Sequence, residues 1–143
     1  MAYLDRVFEN DAEDVRIPNP LVFAGRVREV LTPVDVDAQN NTLTVAQIVA
    51  GIVVHTSVTG AGTVTTDTAA NIIAGSGGVG ALKNNGETIS CRYINDGTQT
   101  LTLSAGTGVT IADAGQTIAA DEAALLLFRR TSATAVTVYI IGA

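Results

Sequence analysis

Few residues in this chain have the chemistry to catalyse or ligate. His55 is the only histidine and Cys91 the only cysteine. Ser-His-Asp, Cys-His and multi-histidine metal sites therefore have one residue of each kind to draw on. His55 sits in the apolar run Ile52-Val53-Val54-His55, which favours a structural role. Cys91 shares a strand face with Ile89 and Tyr93, as a buried inert thiol does. Gly75-Ser76-Gly77-Gly78-Val79-Gly80 matches G-x-G-x-x-G in letters. A dinucleotide loop must leave a strand and open a helix, so that helix-terminal N–H groups meet the pyrophosphate. These glycines follow a helical segment and enter a turn, so they read as a flexible loop. Asp11-Ala12-Glu13-Asp14 and Asp35-Val36-Asp37 lack the glycine and closing glutamate of an EF-hand loop, and read as solvated acidic faces. No catalytic residue, metal site or cofactor is expected, and an enzyme is not.

The elements around these residues divide into two unlike parts. Up to Asp37 the chain carries 12 of its 22 charged residues and all three prolines, Pro18, Pro20 and Pro33. Beyond it the sequence is mostly Ala, Thr, Gly, Val and Ile in short alternating runs. This places an extended arm at residues 1–41 and a body at 42–143. The arm has an acidic stretch, Tyr3 to Arg16, with Leu4, Val7 and Phe8 on one side of a short helix. Ile17-Pro18-Asn19-Pro20 is extended, because a residue before proline avoids the α region. Leu21-Val22-Phe23 reads as an apolar anchor, Arg26 to Val30 as a mixed-charge segment, and Pro33 to Asp37, where valines alternate with aspartates, as a strand with one wet face. Ordering about 35 residues costs roughly 1–2 kcal/mol each in backbone entropy, which a neighbouring chain must offset. The expected contact residues are Leu4, Phe8, Arg16, Leu21, Phe23, Arg26 and Arg28.

In the body, Thr44-Val45-Ala46-Gln47 fits a capping box for a helix ending near Gly51. A strand follows at Ile52 to Thr56. Asp67 to Ala74 fits a second short helix, capped by Thr66 or Asp67 and ended by Gly75. Alternation then predicts strands around Ile89 to Tyr93, Leu101 to Leu103, Val109 to Ile111, Ala123 to Arg130 and Val136 to Ile141. Asn95-Asp96-Gly97 predicts a tight hairpin. The fold class expected is mainly β, a sandwich or jelly-roll-like body with two short helices. Leu125-Leu126-Leu127-Phe128 is apolar on both faces, as a strand buried on both sides is. Leu126 and Phe128, with Tyr139 and Ile141 of the closing strand, are expected at a subunit interface. Hydrophobic content of 47% with only 4% aromatics makes a thin core, which oligomerisation commonly supplements.

Charge and hydropathy exclude other classes. A formal net charge of −6 with a single lysine, Lys83, disfavours nucleic-acid binding. The pairs Arg26/Arg28 and Arg129/Arg130 suit salt bridges with acidic partners. No run of 18 apolar residues suggests a membrane span. The first residues lack the basic and apolar regions of a secretory signal. Asn40-Asn41-Thr42 is a glycosylation sequon with no other sign of a secreted eukaryotic context.

The body resembles a module of tailed-phage virion proteins. The resemblance rests on Thr44-Val45-Ala46-Gln47-Ile48-Val49-Ala50-Gly51, Thr68-Ala69-Ala70-Asn71-Ile72-Ile73, Leu101 to Thr110 and Thr131 to Tyr139, and covers roughly residues 42–143. It implies a head-decoration (cement) protein on the outer surface of the capsid. Its partners would be the major capsid protein and itself, as a homotrimer. The alternative is a fibre or receptor-binding knob with a glycan among its candidate ligands, although the sequence offers no Trp for sugar stacking.

Overall fold

The computed structural model describes residues 31–142 apart from Ser57 and Ala114. The arm contacts expected at Leu4, Phe8, Arg16, Leu21, Phe23, Arg26 and Arg28 lie outside the described residues.

The described chain is mainly β, with ten strands and two short helices. In order these are β1 (Val34–Val36), β2 (Asn41–Leu43), α1 (Val45–Ala50), β3 (Ile52–His55), β4 (Gly62–Thr66), α2 (Ala69–Ala74), β5 (Thr88–Asn95), β6 (Leu101–Ser104), β7 (Val109–Ile111), β8 (Thr117–Ile118), β9 (Glu122–Arg130) and β10 (Val136–Ile141). They form a six-stranded sheet ordered β1-β3-β5-β9-β10-β7 and a four-stranded sheet ordered β2-β4-β6-β8. The first six strands alternate between the sheets. Within each sheet they pair in parallel, β1 with β3 and β3 with β5, β2 with β4 and β4 with β6. Parallel neighbours need a crossover, and here each crossover runs through the other sheet. A jelly roll joins antiparallel strands instead. Antiparallel pairing enters with β9, which lies between β5 and β10, and with β8 on β6.

Residues 31–41, grouped with the arm on charge density, belong to this unit. Val34 to Val36 pair with Val53 to His55 at the edge of the large sheet, and Val36 is buried. The polar, charged outer positions of β1 mark an exposed edge strand.

Both helices have six residues, too few for stability alone. Thr44 and Gln47 cap α1 reciprocally: Gln47 N donates to Thr44 Oγ1 and Thr44 N to Gln47 Oε1 at 2.9 Å. The helix ends at Gly51, in the left-handed region at φ 82°. Val45 and Ile48 bury its inner side. The cap of α2 is Thr68, in place of the expected Thr66 or Asp67. Asp67 instead ties the two helix starts together. Its Oδ1 accepts from Thr68 N and Asn71 Nδ2, each at 2.7 Å, and its Oδ2 from Val45 N at 3.2 Å.

One core takes side chains from both sheets and both helices, including Leu43, Ile48, Val64, Ile72, Tyr93, Leu101, Ile118 and Phe128. The expected hairpin at Asn95-Asp96-Gly97 is a different structure. It carries the chain from β5 in the large sheet to β6 in the small one. A Cβ on Gly97 would come within 2.4 Å of Val58 Cβ, so the glycine answers close packing. Asn95 is fully buried. Its Nδ2 donates to the carbonyls of Gln99, Ile118 and Ala119 at 2.8, 3.0 and 2.9 Å, and its Oδ1 accepts from Gly97 N. One amide thus links the end of β5 to β8.

Candidate functional site

The residues with catalytic potential are absorbed into the structure. His55 is fully buried, with its ring between Tyr93 and the chain at Ala38. A carbonyl only accepts, so Nε2 carries the proton donated to Ala38 O. Nδ1 then accepts from the Tyr93 hydroxyl at 2.8 Å, and that oxygen accepts from Asn41 Nδ2 at 3.1 Å. The chain of bonds joins β2, β3, β5 and the β1–β2 connection. Every polar member has a partner, as a buried network requires.

Burial pushes the Cys91 thiol up to about 12 from its ordinary 9.0, which leaves it protonated and unreactive at neutral pH. Burial also raises Tyr93 to about 12, partly opposed by the Asn41 hydrogen bond. The glycine loop closes on itself. Ser76 and Val79 exchange backbone hydrogen bonds at 3.0 Å, and Gly77 and Gly78 have φ values of 59° and 83°. Positive φ at both central positions makes this a tight turn of the primed kind.

A shallow cleft of about 330 Å³ lies along Gly80 to Lys83 and Glu87 to Ile89. Glu87 in its lining and Arg130 beside it are already engaged. Glu87 accepts from the backbone N–H groups of Lys83 and Asn84 and from Asn84 Nδ2, and these bonds hold its carboxyl below the usual range. Arg130 donates to the carbonyls of Leu82, Lys83 and Ser132. Among the described residues no group of three or more His, Cys, Asp or Glu is placed to hold a metal ion, and no helix is long and apolar enough to cross a membrane.

What the fold leaves available is the outward face of the large sheet. Alternation along β9 sends Ala124, Leu126 and Phe128 into the core, the last two with no exposure. Leu126 and Phe128, expected at a subunit interface, are therefore core residues on the opposite face from Tyr139 and Ile141. The outward residues of β9 are Ala123, Leu125, Leu127 and Arg129. Pairing on both sides arranges them in rows. Arg129 lies between Thr88 and Thr137, Leu127 between Ser90 and Tyr139, and Leu125 between Arg92 and Ile141. Ile52 extends the third row on β3, opposite Arg92. Tyr139 is 36% exposed and Ile141 53%. Arg92 and Arg129 are exposed and have no ionic partner among the described residues.

This surface joins the expected Tyr139 and Ile141, and Arg129 of the pair read as a partner for acidic groups, to three residues that sequence reasoning did not assign to it: Leu125, Leu127 and Arg92. Strand parity held the signal, because positions 125, 127 and 129 share one face. Which parity points outward depends on the register with β5 and β10.

Comparison with known proteins adds no assignment to this geometry: no family model, no curated protein and no solved structure matches the chain.

Proposed function

We propose that the chain is a non-catalytic structural protein that decorates and stabilises a phage capsid by binding major capsid subunits. In this reading it lies on the outer capsid surface as a homotrimer, and its two sheets pack as a wound sandwich. The observation that carries the reading is the outward face of the large sheet. Leucine, isoleucine and tyrosine side chains stand there beside two arginines that have no ionic partner among the described residues. Apolar anchors with arginine and tyrosine are the makings of a protein-binding surface. The resemblance of the body to phage head-decoration modules supports the choice of partner. The charged segment before Leu31 supplies a means of attachment separate from the body.

Particle binding tests it. Purified chain is added to capsids that lack it, and bound copies are counted by quantitative mass spectrometry. Hundreds per particle, lost when residues 1–30 are removed from a chain whose circular dichroism keeps its β signal, is the expected result. Full occupancy without those residues refutes attachment through them. A handful of copies indicates a fibre.

A further inference from the structure

The outward face of the large sheet has a shape and a charge that select its occupant. Arg129 and Arg92 stand in the first and third rows, with Leu127 and Tyr139 between them. Rows on one sheet face are about 7 Å apart, so the two guanidinium groups bracket an apolar strip roughly 14 Å tall. The six strands make the face roughly 24 Å wide. An occupant must bring apolar groups for the strip and carboxylates for both ends. A face-to-face copy of the same sheet offers two guanidinium groups and one carboxylate, Asp35 in a fourth row with Val54, Ile94 and Ala123, so it cannot bring carboxylates to both ends.

The chain's own first residues meet it. Residues 1–15 hold five carboxylates, Asp5, Glu9, Asp11, Glu13 and Asp14, against one guanidinium, Arg6, a side-chain net of −4. They also hold Leu4, Val7 and Phe8. Residues 16–30 have the opposite balance, three arginines against Glu29. Thirty residues precede Leu31, and that length of chain spans up to about 100 Å when extended, several times the width of the face. It is long enough to reach a neighbouring molecule.

We propose that the acidic first half of this segment docks on the outward face of the large sheet of a neighbouring copy, with its carboxylates on Arg92 and Arg129 and its apolar residues over Leu127 and Tyr139. The contact is heterologous, since two different surfaces meet. It therefore builds a closed ring or an open chain of copies according to the rotation between them. The basic second half stays free for another partner. The proposal rests on the reading above and narrows it: this surface joins copies within the homotrimer, and residues 16–30 are left for the capsid. It is measured on purified chain without capsid, so it can fail while capsid binding stands, and the reverse.

The test is a photo-crosslink in the full-length protein. Ser90, exposed beside Leu127, is replaced by benzoylphenylalanine, and light and heavy-isotope chains are mixed in equal amounts. The expected product joins position 90 to a peptide within residues 1–16, with about half of the pairs of mixed isotope. Pairs of one isotope only, which mean docking within one molecule, overturn the proposal. So do crosslinks to a second sheet face, or sedimentation as a monomer at all concentrations. A second pair of variants reads the charge. Arg92→Glu with Arg129→Glu should weaken self-association at least tenfold, and mixing with a chain carrying Glu9→Lys, Asp11→Lys and Glu13→Lys should restore it. Weakening without restoration overturns the charge pairing.

Discussion

The two faces of β9 are built from nearly the same letters and do different work. Leu126 and Phe128 are sealed in a core shared by both sheets, whereas Leu125 and Leu127 stand outward beside arginines. The inner face is closed chemically as well as sterically. Its polar members, His55, Asn95 and Thr66, each have a hydrogen-bond partner, and Thr66 Oγ1 accepts from Gly106 N at 2.8 Å. On the outer face Arg92 and Arg129 have no ionic partner among the described residues. The difference teaches that hydrophobicity alone does not mark a core here: position along the pleat does.

Alkali reaches the inner face through two buried groups and has the largest expected effect. Cys91 and Tyr93 both ionise at about 12 in the fold, against ordinary values of 9.0 and 10.0. The folded chain holds their protons more tightly than the unfolded chain. Stability from this source is complete below about pH 9 and is lost as pH rises toward 12. In a chain with Tyr3→Phe and Tyr139→Phe, which leaves Tyr93 as its tyrosine, circular dichroism and tyrosinate absorbance followed together should change in one transition. Tyr93 ionising in a chain that keeps its β signal would contradict its burial.

Truncating the two faces separates them next. Phe128→Ala should cost about 3–5 kcal/mol in urea unfolding. Leu127→Ser should cost about 1 kcal/mol or less, since its side chain is only half-buried. Equal costs would erase the distinction. Between these lies Asn95→Leu, which strands the carbonyls of Ile118 and Ala119 and the N–H of Gly97. About 2–3 kcal/mol is expected, with faster hydrogen exchange in β8. The smallest effect belongs to Glu87→Gln, at the exposed turn. Its carboxyl is held below the usual range, so its contribution is present above the ordinary 4.5 and fades as pH falls. Exchange at the Lys83 and Asn84 amides should quicken in the variant, with the rest of the sheet unchanged.

Much of the secondary structure was legible because it is locally encoded. Thr44 and Gln47 signal α1 three residues apart, and Gly51 ends it. The alternation of Ile89, Cys91 and Tyr93 with Ser90 and Arg92 gives β5 its inward and outward faces. The pairing was not legible, because it depends on residues far apart in the chain. Asp96-Gly97 has the composition of a hairpin turn, yet tertiary packing against Val58 gives it another path. The boundary misled for a related reason: Asp35 and Asp37 mark an exposed edge strand, which in charge density looks like arm. For the candidate site, Tyr139 and Ile141 could be read from the closing strand. Arg92 joined them only through the register of β5 with β9.

The winding of the first six strands has a kinetic consequence. Val53 pairs with Val34, 19 residues earlier, and with Tyr93, 40 residues later. The centre of the large sheet, β5 on β9, closes only when residues beyond 120 arrive. Contacts this distant in sequence slow folding, since loop closure precedes any gain from pairing. During synthesis the growing chain therefore holds β1 to β5 with their later neighbours missing, and Cys91 and Tyr93 meet water until β9 covers them. A chaperone or a low synthesis temperature should raise the yield of folded protein more than any change to its outer surface.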